Sequence, residues 1–241
     1  MAAALPGAEL VLDIPPVPLT MTVAGQAVSI IVAGKISGAG GAGSQPLSLD
    51  LQADFTDLQS HMTPLLQVEL NQSNRCGERI SVEKATLVPA APAGSMTVQL
   101  HFEKWVCIKA FGRENAKRLV GGDGSVQVLL TPVLGMDESQ NQTVRLEAEV
   151  GRIDADGSLG EVLQSNYGTA LRDKIREALL KAVQKSTNLE TVLPEQARPF
   201  VTIQRVSFAE KGTGMLMLNV GGRIMVPPDK IASILGTFPQ R

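Results

Sequence analysis

Aromatic side chains are scarce in this chain: one Trp, one Tyr and six Phe make up 3% of its 241 residues. The apolar interior must therefore be built from Val, Leu, Ile, Ala and eight Met, a set of small and adaptable side chains. Such a set suits dense aliphatic packing or a soft cavity for an apolar ligand. Charge of one sign is equally lacking. Lys and Arg number 22 against 24 Asp and Glu, so the net charge of −2 provides no global field to draw in nucleic acid. Long apolar runs are missing too. No stretch approaches the roughly 18 consecutive apolar residues that a membrane-spanning helix needs. The N-terminal MAAALPGAELVLDIPP has no charged segment followed by a long apolar run, so it is no intact signal peptide. The chain is then either cytoplasmic or exported with its leader removed.

Histidine and cysteine number two each. His61 and His101 are far apart, and no GxSxG elbow offers an activated serine, so a nucleophile–His–acid triad has no visible frame. Two separated cysteines with two histidines show none of the pair spacings of a zinc site. Asp154-Ala-Asp156-Gly157 is similar to the start of a calcium loop, but the third acidic position and the bidentate Glu are missing. The sequons at Asn71 and Asn141 are short motifs that arise by chance. The expectation is a protein without catalytic residues, cofactor or metal.

What is present begins with Asn166 to Ser186. Leu171, Ile175, Ala178, Leu179 and Ala182 recur at three- and four-residue spacing and form one apolar stripe, with most of the basic residues off it. A helix of this length spans roughly 30 Å, enough to cross a whole sheet face. Those basic residues form a solvated face that also allows contact with anionic headgroups at a membrane periphery.

The remainder reads as strands and turns. Residues 8 to 37 give two alternating strands around Ala24-Gly25-Gln26, and Pro15, Pro16 and Pro18 restrict the first to an edge or an entry loop. Residues 37 to 46 form a flexible Gly-rich loop by composition. Gly38, Gly40 and Gly43 match GxGxxG, but the alternating Leu47, Leu49, Leu51, Ala53 and Phe55 follow where a phosphate-binding helix would have to begin. Residues 56 to 73 predict a short helical turn capped by Thr56 or Asp57 and limited by Pro64. Next comes a hairpin, in which Ile80, Val82, Ala85 and Leu87 face Met96, Val98, Leu100 and Phe102 across PAAPAGS. A parity slip predicts a bulge near Glu83-Lys84.

Folding that hairpin about Ala91-Pro92 brings Cys76 opposite Cys107 or one residue from it. Paired strands place such positions near the separation a disulfide needs. The pair is either bonded, which fits an oxidising, exported location, or two free buried thiols of a cytosolic protein. We favour the bond, with Trp105 packing beside it. Gly121-Gly122-Asp123-Gly124 reads as a turn. After it come strands through Leu134 and from Val144 to Val150, then a DADGS turn and the long helix. A last hairpin runs from Val201 to Val226 with a doubly apolar strand at Leu216, Leu218 and Val220, followed by a short helix from Pro228.

In this order the chain resembles the tubular lipid-binding superfamily, whose best-known members are the bactericidal/permeability-increasing-like proteins. The resemblance is one of pattern across residues 8 to 236. It implies an α+β fold in which a curved antiparallel β-sheet wraps one long amphipathic helix, as a single domain over residues 1–241. It further implies non-catalytic binding or transfer of a lipid or other apolar small molecule in the cell envelope, in a periplasmic or secreted protein. The expected ligand-lining residues are Leu171, Ile175 and Leu179 on the helix with Val98, Leu100, Phe102, Leu216 and Leu218 on facing strands. The competing expectation is a structural or protein-interaction module of the envelope with a filled core and no ligand.

Overall fold

The computed structural model describes residues 9–23, 25–39, 46–110, 113–136, 142–155, 160–161, 166–184 and 198–225. Strands dominate. They are β1 (Glu9–Val23), β2 (Gln26–Ala39), β3 (Leu47–Asp54), β4 (Gln72–Ser73), β5 (Gly77–Ala90), β6 (Ala93–Ala110), β7 (Arg113–Met136), β8 (Gln142–Ala155), β9 (Val201–Lys211) and β10 (Met215–Ile224). The helices are α1 (Thr56–Leu70) and α2 (Asn166–Gln184). The strands form two five-stranded sheets, ordered β1-β2-β3-β10-β9 and β4-β5-β6-β7-β8. Every strand pair is antiparallel.

This corrects the expected architecture. The fold is mostly β and broadly α+β, but the described residues form two sheets with the two helices α1 and α2 instead of one sheet wrapped on one long helix. Of the stripe on α2, Leu171, Ile175, Ala178 and Leu179 are buried, and the Ala182 side chain lies outside the described ones. The helix packs on β8 and on α1, so it does not cross a sheet by itself.

α1 is the element that sequence reading undersized. Pro64 lies inside the 15-residue helix, where a missing N–H and a ring clash cost about 3 kcal/mol. Leu58, Met62, Leu65, Leu66 and Leu70 are buried along one side, each contributing about 1.5–3 kcal/mol, and together they outweigh that cost. The cap also differs from expectation. The N-cap is Phe55, without a side-chain cap bond, and Asp54 just before it accepts at Oδ1 from Thr56 N at 2.9 Å and from Thr56 Oγ1 at 2.6 Å.

The second face of α1 closes a sheet edge. Gln59, Thr63, Gln67 and Asn71 stand four residues apart, so they line one side of the helix and its end. Gln59 Nε2 donates to Leu87 O at 2.9 Å, and Thr63 Oγ1 accepts from Ala85 N at 2.9 Å and donates to Ala85 O at 3.2 Å. Gln67 Nε2 donates to Val82 O at 2.9 Å, while Asn71 Oδ1 accepts from Val82 N at 2.8 Å. These are β5 backbone groups on the side away from β6. The helix thus replaces a missing strand, satisfying polar groups that burial would otherwise leave unpaired.

The two sheets are also tied to each other. Gln59 Nε2 donates to Gly214 O at 2.9 Å and its Oε1 accepts from Leu216 N at 2.8 Å, so one side chain bridges β5 and β10. On β9, Ile203 N donates to Gln142 Oε1 at 2.7 Å, Gln142 Nε2 donates to Ile203 O at 3.3 Å, and Phe208 N donates to Pro92 O at 2.8 Å. Between the layers runs one apolar cluster drawn from both sheets and both helices.

Smaller readings divide. Gly25, with φ +78°, makes the β1–β2 turn, and Pro15, Pro16 and Pro18 lie in an edge strand, as their chemistry requires. The β5–β6 register shifts between Val82 and Lys84, at the predicted bulge. Gly121-Gly122-Asp123-Gly124 is not a turn. β7 runs straight through it, and a Cβ on Gly121 would lie 3.1 Å from both the Glu103 side chain and Phe102 O, so glycine serves close packing there. Of the 37–46 loop, 37–39 finish β2 and 40–45 lie outside the described residues, as do the helix from Pro228 and residues 156–157 of the calcium-like motif.

Candidate functional site

The eight predicted lining residues come together. Val98, Leu100 and Phe102 alternate on β6, Leu216 and Leu218 alternate on β10, and Leu171, Ile175 and Leu179 form the α2 stripe, all within one cluster. Their exposure runs from 0% to 3%, so each packs against other side chains with almost no surface open to water. Sequence reading missed the contribution of α1, whose Met62, Leu65 and Leu66 are fully buried in the same cluster. The apolar spacing from Leu58 to Leu70 was the signal, obscured by Pro64. Phe55 also belongs here and meets Phe208 edge-to-face, with ring centroids 6.0 Å apart and planes at 85°.

The two helices are held differently. α1 is hydrogen-bonded into both sheets. Among the described residues, α2 has two polar ties to the body: Lys174 Nζ to Glu78 Oε2 and Lys181 Nζ to Glu69 Oε2, each at 2.6 Å. Glu78 also accepts from Lys104 at 3.3 Å. The Lys174 hydrogen bond holds the Glu78 carboxyl below its ordinary range, against partial burial, with Lys104 adding to the effect.

Cys76 and Cys107 form a disulfide with Cα atoms 5.6 Å apart, across strands whose last β5–β6 pair is Gly77 with Trp105. The bond is compatible with an extracellular or envelope location. Trp105 pairs with Gly77, the residue after Cys76; Arg79 stacks over the indole at 4.2 Å, and the indole N–H donates to Glu103 at 2.8 Å. Arg118 joins Glu103 at 2.9 Å.

His101 lies in a cross-strand row between Ser81 and Asp123, a juxtaposition the sequence did not reveal. Its Nδ1 is 2.5 Å from Asp123 and its Nε2 is 3.7 Å from Glu103, so carboxylates engage both ring nitrogens. The Asp123 hydrogen bond, and behind it Glu103, raises the His101 pKa. Ser81 is not among its partners, so the row is an ion-pair clamp on the outer face of the sheet. His61 sits on α1 with Nδ1 2.8 Å from Asp57 O. Among the described residues no group of three or more His, Cys, Asp and Glu is placed to hold a metal. None of the described helices is long and apolar enough to cross a membrane.

No known family's sequence profile matches the chain, and no curated protein is significantly similar to it in sequence. Among solved structures, a lipopolysaccharide binding protein is similar at a TM-score of 0.34 and 15% identity. The overlap covers 62% of this chain and 32% of that one, so it spans about a third of that protein's length. An overlap of that depth establishes neither a shared fold nor a shared ligand.

Proposed function

We propose that this protein binds or transfers a lipid or other apolar small molecule without catalysis, as a single folded unit of the cell envelope. The observation that supports this reading is the unequal fastening of the two helices over one aliphatic interior. Lifting α2 breaks two ion pairs, each between a partly or largely exposed Lys and a Glu that is mostly covered, and uncovers Leu171, Ile175 and Leu179 with the apolar surface beneath them. An acyl chain entering that gap replaces one set of aliphatic contacts by another, so the exchange is close to neutral. On this reading the ligand is seated under α2, where the helix packs on β8 and α1. The basic positions of α2 provide a peripheral contact with anionic headgroups.

Replacing Ile175 or Leu100 by Trp tests the assignment, because the indole occupies the space the chain would take. Uptake of a fluorescent fatty acid should fall at least about tenfold while the circular dichroism of the protein is retained. Unchanged uptake in folded variants contradicts the assignment. A second reading, an interaction module with a filled core, draws support from the near-zero exposure of the eight lining residues. Under it, wild type takes up no fatty acid at all.

A further inference from the structure

The outer face of the β1-β2-β3-β10-β9 sheet carries a depression of about 370 Å³, far from the apolar interior in chemistry. Its presence follows from register. Gly221 on β10 pairs with Asp50 on β3 and with Arg205 on β9, so a row that alternates outward side chains has a gap at its centre. Arg205 lies across that glycine and reaches Asp50 at 2.6 Å, and any Cβ on Gly221 would collide with the guanidinium. The next outward row is Gln52, Asn219 and Ser207 on the same three strands. Among the described residues, none of these three side chains has a hydrogen-bond partner. Strands about 4.8 Å apart spread the three groups across roughly 10 Å.

We propose that this depression is a binding site for a neutral saccharide. Two carboxamides each present a donor and an acceptor in one plane, and a hydroxyl adds a third bifunctional group, which matches ligands whose hydroxyls both donate and accept. The Asp50–Arg205 pair contributes directional donors and acceptors without net charge, so a charged ligand gains nothing over a neutral one. The volume lies in the range of small-ligand pockets, at about the lower bound of 300 Å³. Gly221 leaves the room in which the Arg205 side chain lies across the row to Asp50, and the β-sheet holds the polar rows rigid before the ligand arrives.

The test is a proton–nitrogen NMR titration of the full chain with D-glucose and, separately, with maltotriose. The side-chain amide signals of Gln52 and Asn219 should shift saturably, with dissociation constants in the millimolar range. Gln52→Ala and Asn219→Ala should each weaken binding about tenfold, as expected for losing a well-formed hydrogen-bond pair. Both positions are on the sheet's outward face, and unchanged backbone spectra elsewhere verify the fold. Tighter binding of the trisaccharide supports a glycan chain as the source, and equal affinities support a free sugar. Absence of a saturable shift with both probes, or saturable shifts of the Ser207 and Gly221 backbone amides that persist in a Gln52→Ala/Asn219→Ala double variant, overturns the proposal. Neither outcome bears on the apolar interior.

Discussion

Gln59 provides the sharpest test of how the two sheets are joined. Replacing it by Leu keeps roughly the same side-chain length while removing three hydrogen bonds of 2.8–2.9 Å. Two of the stranded groups are carbonyls, that of Gly214 in an exposed turn and that of Leu87, a buried residue. The third is the N–H of Leu216, a residue with 0% exposure that solvent does not reach. Each ordinary hydrogen bond contributes about 1 kcal/mol net, and a buried unpaired N–H costs about 1–3 kcal/mol, so the substitution should cost about 3 kcal/mol. For a chain of this size that corresponds to a fall in melting temperature of about 6–12 °C. Denaturant unfolding with the disulfide intact measures it, and the midpoint should fall with little change in slope. Gln52→Leu, on an exposed position without partners, serves as the control and should stay within about 0.5 kcal/mol of wild type. A Gln59→Leu variant as stable as that control would refute the idea that α1 substitutes for a strand and couples the sheets.

Other expectations follow from the same geometry. Cys76→Ser combined with Cys107→Ser opens a loop whose ends are 31 residues apart, which should cost about 3–4 kcal/mol on the chain-entropy account. Equal denaturant midpoints for wild type and variant would contradict it. Glu78, whose carboxyl is depressed in the folded state chiefly by Lys174, contributes stability that is present above its ordinary value of 4.5 and lost as pH falls through the lower folded value. Wild type should therefore lose stability below pH 4.5 more steeply than Glu78→Gln, and parallel stability curves would show that the ion pair does not hold α2.

Much of the fold was legible because strand periodicity survives in a chain with few aromatics. Leu47, Leu49, Leu51 and Ala53 alternate and are buried alternately, and the slip between Val82 and Ala85 marks a real bulge. That hairpin also placed Cys76 within one residue of Cys107, which favoured the bond and left free thiols open. The helix at 56–70 was hidden because Pro64 is a local signal against helix, while the burial that overrides it is tertiary. Gly121 to Gly124 misled in the opposite sense. Glycines that mark turns in isolation here allow β6 and β7 to approach closely over a long pairing. Splitting of the strands into two sheets was not readable, since it depends on β10 returning to pair with β3 across more than half the chain. The polar rows on β3, β9 and β10 share that limit. Gln52, Ser207 and Asn219 become neighbours only through long-range register.

The central claim is that the apolar interior accepts an apolar molecule beneath α2. Native mass spectrometry of the purified protein, followed by solvent extraction, measures this most directly. The account predicts a stoichiometric apolar adduct, released on extraction and rebound as a fluorescent fatty acid by the emptied protein. A protein that carries nothing and takes up no fatty acid would contradict it and leave the filled-core interaction module as the reading of this fold.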